Sequence, residues 1–238
     1  MTPQDLFRLH AFLGALTDDE TRELLKHALT KRIPAGEVVF HKDDPGDGLY
    51  GVLAGCILIV VESDEGKELI LNKHDAGEFF GEIALLDGEG RSAAARAREA
   101  SDLLFLGRGE FLAFLSRRPE AMLRIIALLC ARLRRATNLV EDTTFLNVSS
   151  RLAKQLIGLT DRHRHHQQPP HEPARCAPTL RMSQKELAQM LGVSREFVSK
   201  QLAIWQQAGI VELGRCRLIV RDERALQQLV SVGRRMPR

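Results

Sequence analysis

The stretch Gly77-Glu-Phe-Phe-Gly81-Glu82-Ile83-Ala84-Leu-Leu-Asp-Gly-Glu-Gly-Arg91-Ser92-Ala-Ala94 carries more chemistry than any other in this chain. Gly81 lets another backbone or a ligand approach closely. Ile83–Leu86 has the length of one helical turn, whose free N–H groups suit an anion. Arg91 offers a planar fork that matches a phosphate, and Ser92 adds a hydroxyl donor. Glu82 is an acceptor able to hold a sugar hydroxyl. From its residues alone the stretch reads as a phosphate–sugar pocket. A second reading stays open, in which Glu82 and Arg91 simply pair with each other on a surface loop.

Upstream, residues 4–30 read as helical. Thr17-Asp-Asp-Glu20 has the spacing of a capping box, in which hydroxyl and carboxylate satisfy free N–H groups at a helix start. Leu24, Leu25 and Ala28 then share an apolar face. From 31 to about 108 the pattern changes. Short apolar or β-branched runs (Glu37–Phe40, Leu49–Leu53, Cys56–Glu62, Glu68–Asn72) alternate with Gly-, Asp- and Pro-rich turns. Strands so spaced predict a sandwich, roll or barrel.

Downstream, residues 119–147 form the longest helical pattern, with Pro119 in the first turn, where a missing N–H costs nothing. Ile126, Cys130, Leu133, Thr137, Val140 and Thr144 recur in alternating steps of four and three, a narrow seam suited to a two-helix dimer. Packing of this helix on its own domain is the plainer alternative. Residues 148–160 predict another helix. Asp161–Pro178, polar and Pro-rich, predicts a loop. Its histidines have no spacing set by a helix or strand, so no metal site is expected there.

Ser183-Gln-Lys-Glu186 is a second capping box and opens a helix bearing Leu187, Ala188 and Leu191. Gly192 suits a left-handed turn, and Ser194 sits where an N-cap belongs before Arg195–Gln207. Val198, Leu202 and Trp205 share one face of that helix; Arg195, Glu196, Ser199 and Lys200 share another. Helix, Gly turn, helix is a plan for placing the second helix in a major groove. Arg there is bidentate to guanine and a carboxylate accepts from cytosine. Gly209–Val220 reads as a β-hairpin, which makes the module a winged helix. A helical hairpin that binds no DNA is the alternative.

Charge divides along the same line. Residues 1–150 hold 18 Lys/Arg and 24 Asp/Glu, a net of −6, and residues 151–238 hold 16 and 7, a net of +9. A basic module joined to an acidic one suits a polyanion partner, although a solvated basic surface also fits. No apolar run approaches the roughly 18 residues of a membrane span. The first residues lack a basic stretch before an apolar core, so no signal peptide is expected. Cys56, Cys130, Cys176 and Cys216 are scattered, without a CxxC pair, which predicts neither a zinc site nor a disulfide framework but a reducing cytoplasm. No nucleophile–base pair stands out, so no catalytic residues are assigned.

The stretch 77–94 closely resembles the phosphate-binding cassette of cyclic-nucleotide-binding domains. Pro34-Ala-Gly-Glu-Val-Val-Phe, Asp44-Pro-Gly-Asp-Gly-Leu-Tyr and Gly55 look like the same domain. Together with the long helix and Ser194-Arg-Glu-Phe-Val-Ser-Lys200, the chain over about residues 10–222 is similar to the CRP/FNR family of transcription regulators. The resemblance implies an α+β fold with three parts: a cyclic-nucleotide-binding β-roll (1–118), a long dimerisation helix (119–147) and a winged helix-turn-helix (148–238). It implies that Gly81 and Glu82 hold the ribose hydroxyl, with Ile83 and Ala84 beside them, and that Arg91 and Ser92 bind the cyclic phosphate. Thr137 would reach the base across the dimer, with Arg132 a nearby basic position. Arg195, Glu196 and Lys200 would read bases, with Ser199 on the same face.

The implied effector is cAMP first and cGMP second. Ala136 stands where the cAMP-responsive member carries Thr, so base identity stays open. Lys200 stands in place of Arg, a point donor rather than a fork, which loosens guanine selectivity. The implied partners are a palindromic operator, a second copy of the chain and, left open, RNA polymerase; no membrane is expected. Three alternatives stay open: a ligand-independent member, one responsive to a cyclic dinucleotide, and a nucleotide-binding module that docks on a protein.

Overall fold

A computed structural model of the chain describes residues 1–9, 16–167 and 179–233. They divide into two compact units, Met1–Leu133 and Arg134–Arg238.

The first unit opens with α1 (Pro3–Leu9) and α2 (Asp18–Leu25). Thr17 caps α2 in the expected box: its hydroxyl accepts from Glu20 N–H while the Glu20 carboxylate accepts from Thr17 N–H. The expectation of helix through residue 30 fails at its end. Leu29–Ile33 is a strand, β1, paired antiparallel with a later strand. Thr30 and Ile33 are β-branched and fit a pleated surface better than a helix, and the tertiary pairing decides the matter.

The strands β2 (Val38–Phe40), β3 (Gly48–Ala54), β4 (Cys56–Glu62), β5 (Glu68–Asp75), β6 (Phe79–Phe80), β7 (Ala94–Ala97) and β8 (Ser101–Gly107) follow, with α3 (Glu82–Asp87) between β6 and β7. They form two antiparallel four-stranded sheets, ordered β1-β8-β3-β6 and β2-β7-β4-β5. Tyr50, Val52 and Leu103 from the first sheet meet Phe40, Ile57, Ala95 and Ala97 from the second in one buried cluster. On the other face of the first sheet, Leu49, Leu53, Leu104 and Leu106 pack with Leu6, Phe7, Phe111, Phe114 and Ile125. β3 is thus covered on both sides, which is why Gly48–Leu53 is buried at every residue and reads as a continuous apolar run rather than an alternating one. Helices α4 (Arg108–Ser116) and the start of α5 (Pro119–Phe145) complete that cluster.

The second unit begins within α5 and continues with α6 (Val148–Gln167), β9 (Thr179–Leu180), α7 (Gln184–Leu191), α8 (Arg195–Gln207), the hairpin β10 (Val211–Gly214) and β11 (Arg217–Val220), and α9 (Glu223–Val232). Its core holds Leu152, Leu156, Leu187, Val198, Leu202, Trp205 and Leu226. The expected loop from Asp161 is corrected here: α6 runs on to Gln167. Asp161-Arg-His-Arg-His-His-Gln contains neither Pro nor Gly, so nothing halts the helix before the Pro pair. Arg164 also fastens this turn to Glu223 of α9 at 2.6 Å. The rest of that predicted loop, 168–178, with Cys176, lies outside the described residues.

Candidate functional site

The two cassette residues singled out as a pair do not bond each other. Arg91 is buried, 2% exposed. Its Nη1 donates to Gly81 O at 2.8 Å, and its Nη2 to Asp47 Oδ1 at 2.6 Å and Gly48 O at 2.8 Å. Its guanidinium carbon lies 4.2 Å from the centre of the Phe40 ring, a cation–π contact in a water-poor setting. The surface-loop reading of a Glu82–Arg91 pair is therefore wrong. Glu82 is also buried, and its Oε1 accepts from Arg132 Nη1 of α5. Arg132 Nη2 reaches the Phe79 carbonyl at 3.3 Å.

Local backbone explains how these groups are placed. Gly81 has φ 85 and caps α3, and a Cβ there would lie 2.6 Å from Arg91 Nη1. Gly46 admits no side chain either, because a Cβ would meet the Ala84 carbonyl oxygen at 2.3 Å. The chain around Asp47 thus presses on α3 from one side while Arg91 ties Gly81 from the other. Ala84 is buried, and Ile83 and Ser92 are exposed.

The site keeps unspent hydrogen-bonding capacity. Arg91 Nε and Glu82 Oε2 are buried and, among the described residues, have no hydrogen-bond partner. Orphaned buried polar atoms are costly. A buried donor on a cation and a buried acceptor on a carboxylate, both in one cassette, suit a ligand carrying both a phosphate and a sugar hydroxyl. Asp47 is a site residue that sequence reasoning did not assign. Its only signal was its place in the quoted turn Asp44-Pro-Gly-Asp47.

Of the predicted ligand residues, the structure brings together Gly81, Glu82, Arg91 and Arg132. Thr137 lies on the exposed surface of α5, in the second unit. The predicted seam residues Ile126, Cys130, Leu133, Thr137, Val140 and Thr144 are all exposed, Leu133 and Val140 at 68% and 66%.

In the second unit, Ser183 forms its capping box with Glu186, and Gly192 ends α7 with φ 65. Ser194 caps α8 by accepting from Phe197 N–H at 3.2 Å. Val198, Leu202 and Trp205 are buried, which turns Arg195, Glu196, Ser199 and Lys200 outward together. The Glu196 carboxyl is held below its usual range by a hydrogen bond from its own backbone N–H, then by the Ser194 hydroxyl. It is thus a hydrogen-bond acceptor on the exposed face of α8. Between the start of α7 and the hairpin lies a cavity of about 460 Å³ lined by Lys185, Arg195, Arg217, Leu187, Leu202 and Leu218. Lys185 and Arg217, missed from sequence, add positive charge beside Arg195.

Among the described residues, no group of three or more His, Cys, Asp or Glu is arranged to hold a metal, and no helix is long and apolar enough to cross a membrane. Burial pushes the Cys56 thiol up to about 12.

Residues 30–118 match the cyclic nucleotide-binding domain family, and residues 150–229 match the Crp-like helix-turn-helix domain family. The chain is 32% identical over 203 residues to a CRP-like cAMP-activated global transcriptional regulator of Mycobacterium tuberculosis, covering 83% of this chain and 88% of the relative. It is 27% identical to the cAMP-activated global transcriptional regulator CRP of Escherichia coli, covering 84% and 93%. Among solved structures, the c-di-GMP responsive global regulator CLP of Xanthomonas campestris superposes with a TM-score of 0.71 at 26% identity, covering 86% of this chain and 99% of that one. Two domain matches in this order, over a nucleotide cassette and a winged helix-turn-helix whose geometry is intact, place the chain among transcription regulators rather than enzymes: it belongs to the CRP/FNR family.

Proposed function

We propose that the chain is a homodimeric, sequence-specific DNA-binding regulator controlled by a cyclic mononucleotide, cAMP first and cGMP second. The observation that carries this reading is the buried Arg91, held by Asp47, Gly48 and Gly81 while its Nε stays unpartnered. A guanidinium so fixed is preorganised for a phosphate. Glu82, whose Oε2 is likewise unpartnered, would hold the ribose hydroxyl, with Ile83, Ala84 and Ser92 lining the cassette. Thr137 would approach the base.

The bound nucleotide supplies negative charge at Arg91 and a hydroxyl at Glu82. Arg132 already bonds Glu82 from α5, so any change at that carboxylate is felt on the long helix. Differential contacts of ~1–3 kcal/mol are enough to bias two arrangements of the DNA-reading modules. The break between Phe145 and Val148, where Asn147 Oδ1 accepts from Ser150 N–H, is the proposed hinge. The functional parts are 1–118, 119–147 and 148–238. In the dimer, two copies of α8 about 34 Å apart would enter successive major grooves of a palindromic operator. Arg195, Glu196, Ser199 and Lys200 would make the base contacts, in the cytoplasm, with RNA polymerase as a further partner.

Calorimetric titration of the purified protein with cAMP, cGMP and c-di-GMP tests the effector. Micromolar or tighter binding of a mononucleotide supports the reading. Binding of c-di-GMP alone, the nucleotide to which the Xanthomonas regulator responds, overturns it. A gel-shift series at controlled salt, with and without the bound nucleotide, tests DNA recognition.

A further inference from the structure

We infer that the C-terminal end of α9 clamps the junction between α5 and α6, and that this clamp sets how strongly a bound nucleotide changes DNA affinity; the inference rests on the reading above, in which that junction is the hinge. The junction is short. α5 ends at Phe145 and α6 starts at Val148, so Leu146 and Asn147 alone separate the helices. Asn147 caps α6: its carbonyl accepts from Arg151 N–H at 3.0 Å, and its Oδ1 accepts from Ser150 N–H at 2.9 Å. On one side Lys154 of α6 donates to Asp142 of α5 at 2.6 Å. Lys154 is half exposed, and a solvated ion pair holds an angle between helices only weakly.

The second hold comes from α9. Ser150 is buried, and its hydroxyl donates to the Leu229 carbonyl at 2.7 Å, joining residues 79 positions apart. Asn147 N–H lies toward the Gly233 carbonyl, at 3.4 Å. The choice of glycine at 233 marks this approach as built. Its backbone, at φ −80 and ψ 0, is open to any residue, so no conformational need calls for glycine. Space does: a Cβ there would stand 1.7 Å from Ser150 Oγ and 2.6 Å from Ser150 Cβ. A hydroxyl can rotate away, but a Cβ is fixed to its backbone. The far end of α9 is anchored separately, by Glu223 on Arg164 at 2.6 Å and by Leu226, which is fully buried. Thus α9 runs antiparallel along α6 as a strap, fixed in the core at one end and pressed on the junction at the other.

The consequence is a matter of how many arrangements the junction has. A nucleotide alters DNA affinity only by biasing discrete states that differ in their contacts with it. Two linking residues held on one side alone would sample many orientations, and DNA would have to order them with or without nucleotide. The strap limits the junction to few, and few states are what a distant site can bias.

Gly233→Ala tests this, because it adds one methyl group at the contact and leaves Leu226 and the Glu223–Arg164 pair in place. The full chain and the variant are assayed by gel shift on the duplex bound in the series above, without nucleotide and with saturating cAMP or cGMP, whichever calorimetry shows to bind. In the wild type the nucleotide is expected to change DNA affinity by roughly 5- to 150-fold, and in Gly233→Ala the two affinities are expected to converge to within about twofold. A merely structural role would lower both affinities alike and keep their ratio, which overturns the inference. Ser150→Ala removes the hydroxyl and adds no bulk, so it decides the matter should Gly233→Ala fail to fold. It must shrink the ratio in the same direction, and a retained ratio in this variant overturns the inference equally. A wild type that binds nucleotide without any change in DNA affinity overturns the switch and the clamp together, and one that binds neither nucleotide overturns the nucleotide reading itself.

Discussion

Arg132 on α5 donates a hydrogen bond to Glu82 in the cassette, joining residues 50 positions apart, while the second oxygen of that carboxylate is buried without a partner. The carboxylate thus serves two directions, one toward the long helix and one toward the site. Glu82→Gln keeps the shape and removes the charge. Nucleotide affinity is expected to fall by roughly 10- to 150-fold, in line with ~1.5–3 kcal/mol for a hydrogen bond to a charged group. Calorimetry checks it, and unchanged affinity would show that Glu82 serves α5 alone.

Gly81→Ala has two consequences. The residue would occupy a left-handed conformation at φ 85, and its Cβ would stand 2.6 Å from Arg91 Nη1. Left-handed backbone costs an alanine ~1–2 kcal/mol. The steric conflict adds displacement of Arg91 from Asp47. Thermal unfolding should therefore show a loss of stability, and calorimetry a weaker nucleotide. Loss of stability with full affinity would mean that Arg91 need not be fixed to bind.

The exposed seam on α5 is the basis of the proposed dimer. Apolar side chains as exposed as Leu133 and Val140 on one helical stripe point to a partner helix. Leu133→Glu places a charge in that stripe and should convert the dimer to a monomer in sedimentation velocity. Because Leu133 is exposed in the single chain, the monomer should keep its fold by circular dichroism. A wild-type protein that sediments as a monomer would remove the dimer from the proposal.

Glu20 gives a pH dependence of stability. Its carboxyl accepts from Thr17 N–H at 2.8 Å and from Arg118 Nε at 2.6 Å. The Thr17 hydrogen bond first, and the Arg118 guanidinium second, hold it below the ordinary carboxylate range. A depressed folded value means that the contribution is full above the unfolded value of about 4.3 and is lost as pH falls through the folded one. Glu20→Gln should accordingly be less stable than wild type at pH 7, with the gap closing in acid. Equal melting temperatures at pH 7 would show that the capping box stands without the charge.

Much of the fold was legible because it rests on local rules. Both capping boxes, the left-handed Gly192, the buried stripe Val198–Leu202–Trp205 and the strand Cys56–Glu62 follow from short-range chemistry and periodicity. What local rules missed was decided by distant partners. Leu29–Ile33 is a strand because β8 lies beside it. The turn of α6 after Asp161 is helical although its composition reads as loop, and Glu223 of α9 holds it.

The site divides in the same way. Residue type and spacing along a single element were enough to single out the groups proposed to bear the chemistry: Gly81, Glu82, Arg91 and Ser92 in one cassette, and Arg195, Glu196, Ser199 and Lys200 on one helical face. The partners of those groups came from the folded chain. Arg91 is buried against Asp47 rather than paired with Glu82, and Glu82 answers to Arg132. The reason is physical. A salt bridge or cross-strand row joins residues tens of positions apart, and its strength depends on burial and register, which no window of sequence contains.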